Sequence, residues 1–452
     1  MPEAISYEYS RPLDWYHECS LDSVWELAKT LASEIEEIET RRIRSEEEML
    51  KFAFTIRQII LDVYVAYLYD PALSLGFSRT ESTYTGDRET PSDVSYNAVI
   101  ASVDGLTELD FLESVKGINN HHHRSRNVNS RLRATSAFFE RIKTGTGLRL
   151  HHLSRHDEDA LLILKDNDKR AIAFVDTDDT VRMKENLCSI NNLIHSSVID
   201  ICLSDEQMQE MKETIKSRAG KNVGRAINFS RTSLSRTFNK ESFEKGGRFY
   251  RGWWQGIPSK YRRYININGQ PTVEIDYKSL SVSLAYAEVG LEKPDGEGYL
   301  FEGVHRKSVK RLFNRAFNMS SDRAPDPRDY YPLPEGETYR TVMEKLLEKH
   351  QPISGLFFSE VGLYLQYKDS IIAETIMLKL LEEDVVCLPI HDSFLVTRGS
   401  LDKLKQVMKS SYTSVTGQRA PHKEIEETAQ EEALSEWLVD GRLQGYMERH
   451  QW

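Results

Sequence analysis

Two short segments, both rich in apolar and β-branched residues, each lead into an aspartate. Thr272–Ile275 is followed by Asp276, and Val385–Ile390 is followed one residue later by Asp392. Each segment has the length and composition of a buried strand, and Phe394–Thr397 gives the second one a return strand. Neighbouring antiparallel strands lie about 4.8 Å apart. The sequence therefore predicts an antiparallel sheet that can bring the two carboxylates together.

At 452 residues the chain is long enough for roughly two to four domains with a substantial core. Its hydrophobic content of 39% and charged content of 29% are typical of a globular protein in water. The first residues do not form a basic-then-apolar leader, no apolar run is long enough to cross a bilayer, and the cysteines lack disulfide or CxxC spacing. We therefore expect a cytoplasmic protein with no membrane partner.

The net charge of −11 is unevenly distributed along the chain. Between Ile215 and Ile265, which we call the basic segment, thirteen Lys and Arg residues are opposed only by Glu241 and Glu244. Phosphate binding requires a local excess of positive charge, whatever the remote surface carries. The basic segment therefore favours a nucleic-acid partner.

Residue spacing along the chain predicts an α+β protein with three parts. Apolar residues at three- and four-residue intervals predict a mostly helical N-terminal domain over residues 1–235. Residues 236–415 form a second domain, in which the turn pair Asn268-Gly269 predicts a hairpin ahead of Asp276. Residues 416–452 read as an acidic helical tail, with a helix over Glu424–Leu438.

The two aspartates match a known kind of metal chemistry. Phosphoryl transfer to a hydroxyl is supported by two divalent cations about 3.5–4 Å apart. Mg²⁺ prefers carboxylate oxygens together with water and substrate phosphate, so two protein aspartates suffice, and Mn²⁺ can substitute. We therefore predict that Asp276 and Asp392 are catalytic and bind two Mg²⁺ ions. Taken singly, an aspartate at a strand end is more often an ordinary turn residue.

Four segments in order resemble motifs of the family A DNA polymerases and of the related single-subunit, phage-type RNA polymerases. They are Gly247-Arg248-Phe249-Tyr250, Gln255-Gly256-Ile257-Pro258 with Arg262 and Arg263 behind it, Asp276–Ser281, and Pro389–Phe394. The resemblance spans about a third of the chain. It implies a right-hand polymerase palm, an antiparallel sheet with helices, carrying reduced fingers inserted at about 290–350. It also implies nucleic-acid contacts for Arg248, Tyr250, Gln255, Arg262, Arg263 and His391.

The fingers helix of these families carries R-x3-K and then an aromatic residue. Arg306 and Lys310 match the basic pair, so the resemblance implies that they bind the incoming triphosphate. Asn318 stands where the families have the aromatic residue. The alternative is a solvated basic helix face, to which Arg311 and Arg315 also belong.

Tyr277 and Ser281 are the other nucleotide contacts that the resemblance implies. DNA polymerases of this type have a bulky glutamate at the position of Ser281, where it excludes a 2′-hydroxyl. The small Ser281 and the Ser393-Phe394 pair favour ribonucleotides, whereas Gln255–Pro258 and the Asp276-Tyr277 pair favour deoxyribonucleotides. The balance leans slightly towards ribonucleotides and leaves the product open.

The expected activity is template-directed addition of nucleotides to a 3′-hydroxyl, DNA-templated and used in replication or primer synthesis. The expected partners are a nucleic acid template and primer, nucleoside triphosphates, and replication proteins that contact the N-terminal domain. A bacterial, phage or mobile-element setting fits this activity. Two alternatives stay open: an inactive palm that acts as a nucleic-acid-binding replication initiator, and a metal nuclease that uses the same aspartates.

Overall fold

The computed structural model describes residues 5–7, 9–39, 43–84, 93–118, 128–149, 152–155, 161–217, 226–277, 279–294, 296, 298–301, 303–320, 333, 336–420 and 425–427. The helices are α1 (Asp22–Ile38), α2 (Glu46–Tyr69), α3 (Tyr96–Glu108), α4 (Ser136–Thr146), α5 (Asp178–His195), α6 (Asp205–Ser217), α7 (Ser259–Arg262), α8 (Leu280–Glu288), α9 (Arg306–Asn318), α10 (Tyr339–Lys349), α11 (Gly362–Leu381) and α12 (Leu401–Thr416).

The strands are β1 (Ser10–Pro12), β2 (His17–Cys19), β3 (Ser74–Phe77), β4 (Leu112–Val115), β5 (Ser130–Ala134), β6 (Leu153–Arg155), β7 (Leu162–Lys165), β8 (Ala171–Ile172), β9 (Ile199–Ile201), β10 (Ser235–Asn239), β11 (Ser242–Tyr250), β12 (Ile265–Ile267), β13 (Gln270–Tyr277), β14 (Leu388–Ile390), β15 (Ser393–Thr397) and β16 (Ile425–Glu427). The fold is mixed α+β, as the sequence predicted. No helix in the described ranges has the length and apolar character needed to span a membrane.

The N-terminal unit combines helices with a four-stranded sheet of order β1-β3-β5-β4. Helix α2 starts at Ser45, whose side chain accepts from the backbone N–H of Glu48 in a reciprocal capping box. Inside the unit, the buried carboxylate of Asp62 accepts hydrogen bonds from Arg11 and contacts His17 at 3.0 Å. The unit is therefore less purely helical than its sequence pattern predicted.

A second hydrophobic core begins well before residue 235. Leu187 and Ile201 belong to the same buried cluster as Val273 and Leu395, whereas the N-terminal core gathers residues from Tyr9 to Leu148 together with Ala226. Strand β7 pairs with β10 and strand β9 pairs with β12. Residues 161–217 thus pack with the second unit, so the predicted boundary at 235 does not coincide with the division between the cores.

The central sheet of the second unit has the order β14-β15-β13-β12-β9. Asn268 and Gly269 have φ angles of 52° and 74°, which suit the predicted tight hairpin between β12 and β13. Ile425–Glu427 pairs with β13 as strand β16, so the predicted helix over Glu424–Leu438 is wrong at these residues. Edge pairing with β13 prevails there over the helical spacing of the sequence. The rest of that predicted helix lies outside the described residues.

Candidate active site

The pairing of β13 with β15 brings the two predicted catalytic segments side by side. Asp276 lies opposite Ser393, the residue directly after Asp392. The backbone N–H of Tyr277 donates to the carbonyl oxygen of Asp392 at 3.5 Å. Asp392 lies in the turn between β14 and β15, where the preceding His391 has a φ of 59°. The predicted strand pairing is thus confirmed, and both aspartates lie at one end of the sheet.

Tyr277 points away from this end of the site. Its side chain is buried, its hydroxyl donates to the carbonyl oxygen of Met408 at 2.5 Å, and its ring packs near Tyr412 in α12. Burial holds the pKa of the Tyr277 hydroxyl well above its usual value. The tyrosine side chain joins β13 to α12, which contradicts the predicted nucleotide contact. Alternation along a strand explains this, because Tyr277 and Asp276 face opposite sides.

Glu274 lies on the same face of β13 as Asp276, because the two residues are two positions apart. Its Oε1 atom accepts from Arg262 Nη1 at 2.7 Å and from the hydroxyl of Ser393 at 2.7 Å. Glu274 is 7% exposed. This buried network was not predicted, and it gives Arg262 a structural partner beside its predicted nucleic-acid role.

A cleft of about 120 Å³ opens beside the strand ends. Its charged lining consists of Arg248 from β11, Asp369 from α11 and Asp392 from the β14–β15 turn, and Ser281 and Gln366 add neutral polar groups. Ser281 therefore lines the same cleft as the predicted metal ligand Asp392. Asp276 is not among the lining residues and lies at the adjoining strand end.

Asp369 was missed by the sequence reasoning. Its Oδ2 atom accepts from Arg248 Nε at 2.7 Å and from Arg248 Nη2 at 2.6 Å. Burial raises the pKa of Asp369 to about 6, with Arg248 opposing the rise and Asp392 adding to it. The available sequence signal was an acidic residue on the apolar stripe that includes Leu365 and Ile372, since a buried acid requires a partner.

The remaining predicted nucleic-acid contacts lie around the β14–β15 turn. The rings of Tyr250 and His391 are 6.2 Å apart, edge to face. Burial and the nearby Arg248 lower the pKa of His391, so its imidazole favours the neutral form. Gln255 Nε2 donates to the carbonyl oxygens of Phe249 and Pro389, both at 3.0 Å. Gln255 therefore fastens β14 to β11.

Arg263 is placed differently from its neighbour Arg262. Its guanidinium lies 5.0 Å from the ring centre of Tyr264, and its Nη2 donates to the Tyr264 hydroxyl at 3.1 Å. Tyr264 is buried, whereas Arg263 is half-buried. The prediction for Arg263 stays a prediction.

Helix α9 forms one wall of the cleft through Asn314, Phe317 and Asn318. Lys310 lies one turn before Asn314 and two turns before Phe317, so helical spacing puts it on the same side of α9 as these two residues. The guanidinium of Arg306 instead lies 5.6 Å from the ring centre of Tyr299. Neither Arg306 nor Lys310 is among the residues that line the cleft, and both triphosphate contacts stay predictions.

Asn318 is held against α11 by a close backbone approach. A Cβ atom at Gly362 would lie 2.3 Å from Asn318 Oδ1, so only glycine leaves room for this side chain. Asn318 Nδ2 donates to the carbonyl oxygen of Asn314 at 2.7 Å. The residue that stands in place of the families' aromatic is therefore a fixed polar group of the cleft wall.

Acids from other parts of the chain neutralise much of the basic segment. The ion pairs are Arg231–Asp14, Arg236–Glu374, Lys240–Glu360, Arg248–Asp369, Lys260–Glu210 and Arg262–Glu274. The excess of positive charge along the sequence is therefore not an equal excess in space. Composition within one segment cannot show which distant acids fold against it.

The carboxylates fit an open metal site better than a closed one. Within the described ranges, no three or more His, Cys, Asp or Glu side chains form a group able to enclose a metal. Mg²⁺ commonly binds through one or two carboxylates and completes its shell with water and substrate phosphates. Asp276 and Asp392 match that donor set.

Comparison with known proteins adds little to this geometry. No protein-family model matches the chain, and no curated protein matches it. Among solved structures, the chain is similar to the POL domain of Pol1 from M. smegmatis in complex with DNA primer-template and dNTP. The sequence identity is 12%, the TM-score is 0.27, and the match covers 91% of this chain and 66% of that chain.

Proposed function

We propose that the protein is a template-directed nucleotidyltransferase that adds nucleotides to a 3′-hydroxyl. The observation that carries this proposal is the β13–β15 register, which sets Asp276 beside Asp392 at the edge of a polar cleft. An aspartate that serves only as a turn residue has no need to lie beside a second aspartate from a distant part of the chain. We call the second unit a palm and α9 with α10 its reduced fingers.

Asp276 and Asp392 would hold two Mg²⁺ ions, for which Mn²⁺ can substitute. When bound, the ions supply activation of the 3′-hydroxyl and charge neutralisation of the triphosphate. The protein side chains position the reactants. Lys310 contributes a cation to the wall from which the triphosphate is bound, and Ser281 leaves space for a ribose hydroxyl.

Arg248 and Tyr250 would contact the primer–template duplex on the other side of the cleft. Arg248 lines the cleft directly, and Tyr250 lies on the same strand beside His391. The template is DNA, the process is replication or primer synthesis, and the N-terminal unit recruits replication proteins. A cytoplasmic setting in a bacterium, phage or mobile element fits this role.

The decisive assay follows extension of a labelled primer and primer-independent synthesis. DNA and RNA templates are each combined with dNTPs or NTPs, under Mg²⁺ or Mn²⁺. We expect synthesis by the unmodified protein and background levels from Asp276→Asn and Asp392→Asn, because each loses a metal ligand. Asp402→Asn, on the exposed side of α12, is the control and should retain activity.

The same assay separates the alternatives. Shortening of the labelled strand, abolished by the same two variants, would indicate a nuclease. Primer–template binding without incorporation under any condition would indicate a replication initiator with an inactive palm. Full synthesis by either aspartate variant would refute the proposed site.

A further inference from the structure

Arg248 and Asp369 form an unequal pair at the wall of the cleft. Asp369 is 4% exposed, whereas the side chain of Arg248 is 25% exposed and lines the cleft. Both Nε and Nη2 of Arg248 contact the same carboxylate oxygen, at 2.7 and 2.6 Å. Asp369 is therefore placed to affect a bound substrate mainly through Arg248.

The contact with Asp369 fixes the orientation of the Arg248 guanidinium. A guanidinium has five N–H donors in one rigid plane. Fastening the Nε and Nη2 atoms to Asp369 sets that plane and leaves the Nη1 donors for other acceptors. None of the described residues accepts a hydrogen bond from Nη1. A long side chain that is already oriented loses less conformational entropy when it binds a ligand.

We propose that Asp369 is a positioning residue that holds Arg248 in the orientation needed to bind the nucleic acid strand beside Asp392. This inference rests on the proposed function. The pair carries little net charge, so Arg248 acts through the direction of its hydrogen bonds more than through long-range attraction. Loss of a phosphate contact lowers the salt dependence of binding by about one unit of slope. Loss of Asp369 should leave that slope unchanged.

A second ion pair, which joins α11 to the neighbouring strand β10, provides a matched control. Arg236 from β10 donates to Glu374 at 2.8 Å, to Ser370 at 3.1 Å and to the carbonyl oxygen of Gly247 at 2.9 Å. Arg236 is fully buried and does not line the cleft. Glu374 therefore fastens α11 to the sheet as Asp369 does, without an arginine that reaches substrate.

The experiment is a double-mutant cycle on binding of a fluorescent primer–template by the full chain in EDTA, so it does not depend on catalysis. We expect Asp369→Asn and Arg248→Ala each to weaken binding about tenfold, the loss of one hydrogen bond to a charged group. The double variant should bind no more weakly than Arg248→Ala, because Asp369 acts through Arg248. Glu374→Gln should change the affinity less than about twofold while lowering the melting temperature.

Arg248→Lys keeps the charge but loses the two-point contact, and it should bind as weakly as Asp369→Asn. This variant tests the proposal if Asp369→Asn does not fold. The proposal would be overturned if the double variant bound more weakly than Arg248→Ala by the full effect of Asp369→Asn. It would also be overturned if Glu374→Gln weakened binding as much as Asp369→Asn does, or if the unmodified protein did not bind the primer–template. Binding that follows the predicted cycle in a protein without synthesis would refute the proposed function but keep the role of Asp369.

Discussion

The hydroxyl of Ser393 donates a hydrogen bond to Oε1 of Glu274 across β13 and β15, over 2.7 Å. The same oxygen accepts from Arg262. This shared carboxylate joins the two strands that end at the proposed metal-binding aspartates. The geometry of the strand ends therefore depends on a polar network as well as on backbone pairing.

Replacing Arg262 by Ala should destabilise the protein by about 3 kcal/mol, because it leaves the buried carboxylate of Glu274 without its cation. Arg263→Ala is the neighbouring control and should cost less than about 1 kcal/mol, because the half-buried Arg263 bonds to a neutral hydroxyl rather than to a buried carboxylate. Urea unfolding of both variants measures the difference. Equal free energies of unfolding for the two variants would show that Arg262 does little to stabilise the buried carboxylate of Glu274.

Ser281→Glu should shift substrate preference towards dNTPs. The larger side chain would fill the space beside Asp392 that a ribose hydroxyl needs, while Ser281→Ala should leave the preference as it is. The measurement is the ratio of kcat/KM for NTPs and dNTPs on one primer–template. A ratio that is the same in both variants would remove Ser281 from sugar selection.

Lys310→Ala should raise KM for the nucleoside triphosphate more than Arg306→Ala does. Helical spacing puts Lys310 on the same side of α9 as Asn314, which lines the cleft. The guanidinium of Arg306 instead lies over the ring of Tyr299. Steady-state kinetics at saturating primer–template separate the two effects, with an expected gap of about tenfold for one charged hydrogen bond. The reverse order would place the triphosphate nearer the start of α9.

Asp369 should make stability depend on pH. Its pKa is raised from 3.8 to about 6 in the folded protein, so the folded state binds more protons than the unfolded state between these values. The carboxyl is most favourable to folding below about pH 3.8, and that contribution is lost as the pH rises through about 6. The loss is roughly 3 kcal/mol for a shift of about two units.

Asp369→Asn should therefore be more stable than the unmodified protein at pH 8, with an advantage that shrinks by pH 4. Denaturant unfolding in EDTA at both values measures this, with Asp402→Asn as the exposed control. An advantage that grows on acidification would contradict the raised pKa.

Ending the chain at residue 420 should tighten nucleic-acid binding. Strand β16 pairs with β13, with Glu426 opposite Asp276, and residues 421–452 contain eight acidic and three basic side chains. Removing them uncovers an edge of β13 and lessens repulsion of phosphates. Fluorescence anisotropy at 50 and 200 mM salt should show the larger gain at low salt. A full-length variant with its glutamates after residue 420 changed to Gln separates charge from strand pairing.

Local patterns predicted the elements that carry the two aspartates well. The expected strand over Thr272–Ile275 lies inside β13, and the Asn268-Gly269 hairpin and the turn at Asp392 are present. These features depend on residue alternation and turn chemistry within a few positions. The sequence contains that information directly.

Features that depend on distant partners were not predictable in the same way. The charge of the basic segment appeared unopposed because Glu374 and Asp369 lie more than a hundred residues further on. The first strand β1 is three residues long and pairs with β3 across α1 and α2. Such a strand has too few residues for alternation to indicate it. Asp369 gave only the weak signal of one acid on an apolar helix stripe.

The β13–β15 pairing also determines when in folding the site can form. Asp276 and Asp392 are separated by α8 to α11 and by strand β14, and they meet only through this pairing. Closing so long a loop costs entropy that local contacts do not recover, so the pairing belongs to the slow, non-local part of folding. A chain that ends before β14 contains Asp276 but lacks Asp392. Binding of Mn²⁺ at the proposed site would thus report that β13 and β15 have paired.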